Sequence, residues 1–132
     1  MGNDDFTGLP PDQLYRRGVL AFNSKSFYDA HEYWEELWTE HPLSDRKFIQ
    51  GLIQLAVGCF HLTNDNLNGA RGLFTKCLPK LNDVPDGQRG LSMPNVVAFV
   101  EEALVQVDGL GAASEFDWSR LPLLPEPAET DS

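Results

Sequence analysis

The chain has 132 residues and a formal charge of −10, from 20 acidic and 10 basic side chains. This length suits one domain that buries a hydrophobic core without disulfide or metal staples. The excess of acidic side chains argues against a nucleic-acid partner and against an anionic membrane surface, because both need a basic footprint on the protein. We therefore predict no nucleic acid and no membrane among its partners, and the oligomeric state stays open.

The N-terminus and the cysteines bear on the compartment. Residues 1–11 contain neither a basic segment nor an apolar one, so no signal peptide is predicted, and no run is long and apolar enough to span a bilayer. Cys59 and Cys77 lie in apolar helical runs and form no CxxC motif. On the two arms of a helical hairpin they would be offset by about 9 Å along the axis, beyond disulfide reach. These features predict a soluble, cytoplasmic protein with free cysteines.

Hydrophobic spacing predicts two helices in the N-terminal third of the chain. Pro11 is a suitable first residue for the first helix, whose apolar positions continue to about residue 23. Ser26 is a candidate N-cap for the second helix, and Pro42 ends that helix. Residues 1–10 are polar and rich in turn formers, so they are predicted to be a flexible N-terminus.

Three further helices follow. Ser44 or Asp45 is the candidate cap of the third, which is apolar nearly all round and is therefore predicted to be the central helix. The fourth helix covers about residues 67–81, and the fifth follows a Ser92 cap and ends near Gly109.

The remaining residues complete the domain prediction. Several apolar side chains after the fifth helix are predicted to fold back as an irregular lid: Phe116, Trp118, Leu121, Leu123 and Leu124. Residues 125–132 have the composition of a disordered tail. We therefore predict a single helical domain at residues 11–124, between the flexible residues 1–10 and the tail.

The helices contain an internal repeat. A shift of 40 residues aligns Gly18 with Gly58, Phe22 with Leu62, Phe27 with Leu67, Ala30 with Ala70, Trp34 with Phe74, Leu37 with Cys77 and Trp38 with Leu78. This order of small and aromatic residues resembles the tetratricopeptide hairpin, in which small residues let paired helices approach closely. We predict an all-α fold: a compact bundle of about five helices, built from two related helix-turn-helix hairpins plus a C-terminal helix and an irregular tail.

Polar side chains mark one side of the second and third helices. His31 and Glu35 share a face of the second helix, while Gln50, Gln54 and His61 recur at spacings of four and seven on the third. A short connection makes the two helices antiparallel neighbours, so Glu35 is expected near both glutamines and His31 near Gln54. We name His31, Glu35, Gln50 and Gln54 the polar cluster; His61 is predicted to lie roughly 9 Å beyond His31 along the axis, outside it.

Three interpretations of the polar cluster remain open. In the first it is a structural lock that fixes the register of the helices. In the second it holds a small polar ligand, with His31 polarised by Glu35 as a candidate general base, so these two are the candidate catalytic residues. The apolar wall of that pocket would be Trp38, Trp34 and Tyr33. In the third, His31, Glu35 and His61 bind a divalent metal, but the second histidine of HExxH is missing, and we predict no metal and no other cofactor.

Arg71 occupies the repeat position equivalent to His31. Two interpretations apply to it. Its side chain either reaches past an apolar face into solvent, or it is a charge partner for Glu35 or for a ligand anion.

These residues together resemble a known family. The segments that carry the resemblance are Phe22-Asn23, Phe27, Ala30-His31-Glu32, Trp34-Glu35-x-x-Trp38, Gln50 to Val57, His61 and Asn66-x-x-Gly69-Ala70-Arg71. They are similar to the domain of unknown function 309 family of small bacterial and archaeal cytosolic helical proteins, over roughly residues 12–82. The resemblance implies an all-α bundle with no established activity. It carries over seven signature positions, which are our candidate ligand-binding residues: His31, Glu35, Trp38, Gln50, Gln54, His61 and Arg71.

No motif in the sequence identifies a reaction, so whether the protein is an enzyme stays open. The function we favour from the sequence is binding of a small polar ligand through the polar cluster between the second and third helices. The alternative is a tetratricopeptide-like module that binds another protein and in which the polar cluster is purely structural.

Overall fold

The computed structural model describes residues 8–127, and all regular secondary structure in this range is helical. The five α-helices are α1 (Pro11–Asn23), α2 (Phe27–Glu40), α3 (Arg46–Thr63), α4 (Leu67–Asn82) and α5 (Met93–Gly109). Short 3₁₀ turns lie between α4 and α5, at Gln88–Gly90, and after α5, at Ala113–Glu115 and Trp118–Arg120. The all-α bundle is confirmed, and each helix lies close to its predicted bounds because caps, prolines and apolar spacing are local signals.

The two hairpins, α1–α2 and α3–α4, each pack an aromatic ring on a glycine. A Cβ atom added at Gly18 would overlap the indole of Trp34, and one added at Gly58 would lie 2.7 Å from Cε1 of Phe74. Both rings are fully buried. The two contacts are related by the predicted shift of 40 residues. The absence of a side chain at each glycine therefore lets the helices of each hairpin approach closely.

The turns of the two hairpins also repeat. Lys25 and Asp65 both have positive φ, at 63° and 57°. The amide of the next residue then donates to a carbonyl five residues back, from Ser26 to Ala21 and from Asn66 to His61, each at 2.8 Å. The same hairpin is thus built twice, with a left-handed residue at the same point of each turn.

The caps of α2 and α4 differ, although they occupy equivalent positions. Asn66 accepts a hydrogen bond from the amide of Gly69 at 2.8 Å, whereas the side chain of Ser26 makes no capping bond, contrary to its predicted role. We expect Asn66→Ala to lower the free energy of unfolding by about 1 kcal/mol and Ser26→Ala to change it by less than about 0.5 kcal/mol. Urea denaturation of the two variants measures this difference. Equal decreases in the free energy of unfolding would show that the hydrogen bond between Asn66 and Gly69 adds no stability of its own.

The segment after α5 folds back over the bundle. Phe116 and Leu124 are buried, and the ring of Trp118 stacks on Phe27 with centroids 5.4 Å apart. The predicted lid is thus confirmed for these side chains. Leu123 is an exception, because it is 79% exposed.

Residues 1–7 and 128–132 lie outside the described residues, so the flexible N-terminus and the disordered tail stay predictions over those ranges. Within the described part, Leu9 packs against the core and residues 121–127 contain no helix.

Both cysteines are free and buried. Burial raises the pKa of the Cys77 thiol to about 12 and raises that of Cys59 well above its usual value. The thiols are therefore protonated at neutral pH and behave as small apolar groups. Between residues 8 and 127, no helix is both long and apolar enough to cross a membrane.

Candidate functional site

His31 and Glu35 form the pair expected from their spacing on α2. The Nε2 atom of His31 lies 2.9 Å from Oε1 of Glu35, and its Nδ1 atom lies 3.3 Å from the carbonyl oxygen of Tyr28. Each ring nitrogen therefore faces an oxygen acceptor within the same helix. This geometry orients the imidazole but directs neither nitrogen to a substrate, so it does not favour His31 as a general base.

The contacts at the two ends of α2 set its register against α3. Tyr28 packs on Phe60 with centroids 5.4 Å apart, and the indole of Trp38 donates to the carbonyl of Arg46 at 3.0 Å. The helices are thus antiparallel. At about 1.5 Å rise per residue, Gln54 lies level with the helical turn between His31 and Glu35, as predicted from the sequence.

The two glutamines share this level with His31 and Glu35 without bonding to them. Within residues 8–127, no hydrogen bond joins Gln50 or Gln54 to either residue. The Oε1 atom of Gln54 is buried and has no partner in the protein. The pair of His31 and Glu35 thus forms, but the polar cluster is not one closed hydrogen-bonded network. Its four members lie along one side of α2 and α3, and one of them has a buried acceptor that no protein donor reaches.

His61 ends the polar stripe of α3. Its Nδ1 atom is 3.4 Å from the side-chain nitrogen of Asn66, and its ring lies so close to Gly69 that an added Cβ there would be 2.9 Å from Cγ of His61. The imidazole is thus held by the turn between α3 and α4.

Arg71 lies away from the polar cluster. Its Nε atom donates to Asp108 at 3.0 Å, and its terminal nitrogens donate to Asn68 and to the carbonyl of Val107. The interpretation of Arg71 as a charge partner for Glu35 is therefore wrong. The repeat explains this difference. His31 lies on the side of α2 that packs against α3, and the equivalent Arg71 lies on the side of α4 that packs against α5.

The predicted apolar wall is wrong for two of its three residues. Trp34 is fully buried on Gly18, and its indole nitrogen donates to the carbonyl of Tyr15 on α1 at 3.2 Å. Tyr33 lines a surface cavity of about 490 Å³ together with Arg16, Arg17 and other residues of α1. Both side chains point to α1, because they lie on the face of α2 that α3 does not cover. Of the three residues, only Trp38 faces α3. The Cζ atom of Arg46 lies 4.1 Å from the centroid of its ring.

Tyr28 belongs to this site and was missed by the sequence analysis. Its ring lies against His31 at 5.3 Å and against Phe60, and 49% of the residue is exposed. The negative charge of the nearby Glu32 carboxylate raises the pKa of Tyr28. The signal that points to it is its spacing of three residues from His31, which places both on one face.

The arrangement offers acceptors and no ready metal site. Within the described range, no three His, Cys, Asp or Glu side chains come together in a way that could hold a metal ion, and the trio of His31, Glu35 and His61 is not such a group. Two hydrogen-bond acceptors mark this side of α2 and α3. They are the Glu35 carboxylate, which is 53% exposed, and the Oε1 atom of Gln54, which is buried.

The fold and these residues define a small all-helical protein of repeated hairpins with a polar face on α2 and α3. Residues 15–73 match the family model described as a domain of unknown function, DUF309, which confirms the resemblance over that segment. All seven signature positions lie within the matched segment, and the segment after α4 lies outside it.

Two curated relatives are themselves uncharacterised. An uncharacterised protein of Aquifex aeolicus (strain VF5) is 28% identical over 93 residues, which is 70% of this chain and 28% of that protein. The uncharacterised protein YpuF of Bacillus subtilis (strain 168) is 36% identical over 56 residues, which is 42% of this chain and 32% of that protein. The matched region thus spans about a third of the length of these relatives or less.

Proposed function

We propose that the face of α2 and α3 binds a small polar ligand rich in N–H donors. The observation that carries this proposal is the Oε1 atom of Gln54, which is buried and has no protein partner. Leaving such an acceptor without a donor costs about 1–3 kcal/mol. Gln54 as a whole is only half-buried, so a turn of its side chain brings this oxygen to the surface, where a ligand N–H removes the cost.

The neighbouring groups support a ligand that donates hydrogen bonds. The half-exposed carboxylate of Glu35 is a further acceptor at the same level of the two helices, and the exposed ring of Tyr28, which lies against His31, is a flat apolar surface. The formal charge of −10 attracts cations to the protein. An amide, an amine or a guanidinium fits this description. Because each ring nitrogen of His31 faces an oxygen of its own helix, we propose binding and no reaction.

A substitution at Gln54 tests the proposal. Gln54→Leu removes the buried acceptor while keeping the volume, so we expect the melting temperature to stay or rise and ligand binding to fall at least about tenfold. Native mass spectrometry of the purified chain detects a retained ligand, and calorimetric titration with acetamide and methylguanidinium measures binding of defined probes.

Thr75→Ala is the matched control, because Thr75 is exposed and occupies the repeat position equivalent to Glu35. It should leave both measurements unchanged. A wild-type chain that retains no small molecule and binds neither probe would contradict the proposal.

The second candidate is a tetratricopeptide-like module that binds another protein. The specific observation in its favour is the repetition of the hairpin down to the turn and the glycine–aromatic contact. Under this proposal Gln54→Leu leaves partner binding unchanged. For either function we propose the cytoplasm as the compartment, since two buried free thiols suit a reducing environment.

A further inference from the structure

After α5 the described part of the chain includes an extended segment, residues 121–127, which we name the strap. It passes between α1 and the beginning of α5. Pro122, Pro125 and Pro127 restrict its backbone, which reduces the entropy lost when an extended segment is ordered. Leu124 is its buried anchor, at 2% exposure, while the neighbouring Leu123 is 79% exposed.

Asn23, the last residue of α1, holds the strap by its backbone. Its Nδ2 atom donates to the carbonyl of Leu124 at 2.9 Å, and its Oδ1 atom accepts from the amide of the same residue at 2.9 Å. One side-chain amide thus makes the pair of bonds that a neighbouring β-strand would make. This type of contact recognises an extended peptide through its main chain, whatever its side chains are.

Contacts with the side chains of the strap make the groove selective for certain peptide sequences. Two residues after Leu124, the carboxylate of Glu126 pairs with Arg16 at 2.8 Å. Arg16 lies two helical turns before Asn23, so the strap runs antiparallel to α1. A cavity of about 230 Å³ remains between the strap and the apolar side chains of Val96 and Phe99 on α5. The strap therefore leaves part of this groove open.

We propose that this groove is a peptide-binding site, occupied by the strap in the free protein. Its partner is an extended, proline-flanked segment of another protein, with a leucine followed two residues later by an acidic side chain. The partner displaces the strap, whose outer ion pair is exposed and therefore weak. This site is independent of the polar cluster, which lies on other helices.

The test uses the full chain and a fluorescein-labelled synthetic peptide of residues 120–127, with fluorescence anisotropy as the readout. Leu124→Ala loosens the strap, so the labelled peptide should bind this variant at least about tenfold more tightly than it binds the wild-type chain. Leu123→Ala is the matched control and should change the affinity less than about twofold, because this side chain is exposed.

Two further changes test the Asn23 contact. Adding Asn23→Ala to the Leu124→Ala chain should weaken peptide binding at least about tenfold, and so should N-methylation of the peptide at its Leu124 nitrogen. If Leu124→Ala does not fold, Glu126→Ala replaces it. That residue is exposed, and its removal should tighten peptide binding about threefold.

Three results would overturn the proposal. They are an affinity that is the same with and without Asn23, no binding to either loosened variant, and a concentration-dependent dimer of the wild-type chain in which a second copy supplies the strap.

Discussion

Replacing Gly18 by alanine should destabilise the protein by about 3 kcal/mol, because overpacking a rigid buried ring costs about 1–3 kcal/mol and more where the ring cannot move. The added Cβ would overlap the indole of Trp34, which is fully buried and stacked near Tyr15. The indole nitrogen also donates to the carbonyl of Tyr15, so moving the ring breaks a buried hydrogen bond. Urea denaturation followed by tryptophan fluorescence measures the loss.

Gly72→Ala is the control for this substitution. Gly72 lies inside α4, and an added Cβ there meets nothing within 4 Å. Alanine has the better helix propensity, so this variant should be about 0.5–1 kcal/mol more stable than the wild type. If both variants changed stability in the same direction, the contact between Gly18 and Trp34 would not determine the packing of α1 on α2.

The second large effect should come from Asp45, which ties the loop before α5 to the beginning of α3. Arg89 donates to its carboxylate through two nitrogens, at 2.7 and 3.1 Å, and Gln88 donates at 3.0 Å. The carboxylate is 12% exposed and the guanidinium 26%. Asp45→Asn keeps the shape and removes the charge, so we expect a loss of about 2 kcal/mol at pH 7.

The effect of Asp45→Asn should depend on pH. Burial alone would raise the pKa of Asp45, but the hydrogen bonds and charge of Arg89 and the bond from Gln88 outweigh it, and the pKa is lowered from 3.8. A carboxylate whose pKa is lower in the folded protein stabilises it fully at a pH above the pKa of the unfolded state. This stabilisation is lost as the pH falls through the pKa of the folded state. The difference between wild type and variant should therefore be constant above about pH 5 and shrink below about pH 3.8.

Asp83→Asn is the matched control for charge removal. Its partner Lys47 is 2.9 Å away, but the two side chains are 67% and 59% exposed. An exposed pair contributes little, so this variant should lose less than about 0.5 kcal/mol at every pH. A loss from Asp45→Asn that persisted unchanged at pH 3 would contradict an electrostatic origin of its contribution.

The helices and the repeat could be predicted because their signals are close together in the chain. Pro11 and Pro42 delimit helices by local backbone restriction, and Gly18 with Trp34 and Gly58 with Phe74 repeat one contact inside each hairpin. A spacing of four also sufficed to pair His31 with Glu35, since one helical turn brings them together.

The contacts that were not predicted join distant parts of the chain. Asp45 was one of two candidate caps of α3, with Ser44, yet its side chain makes no capping bond and its carboxylate accepts from Arg89, 44 residues later. Asn23 holds Leu124 from 101 residues away, and Arg71 binds Asp108 on a helix whose position local spacing does not specify. The unpartnered oxygen of Gln54 is likewise a property of packing, because only the final positions of all neighbouring donors decide whether an acceptor is satisfied.

The duplicated hairpin also has a kinetic consequence. Each glycine–aromatic contact joins residues fewer than twenty positions apart, within one hairpin. Much of the native structure therefore forms without bringing distant parts of the chain together. Chains dominated by such local contacts fold on the order of milliseconds or faster. The joining of Asn23 to Leu124 requires nearly the whole polypeptide to be in place, so it belongs to the last stage of folding and to the first stage of unfolding.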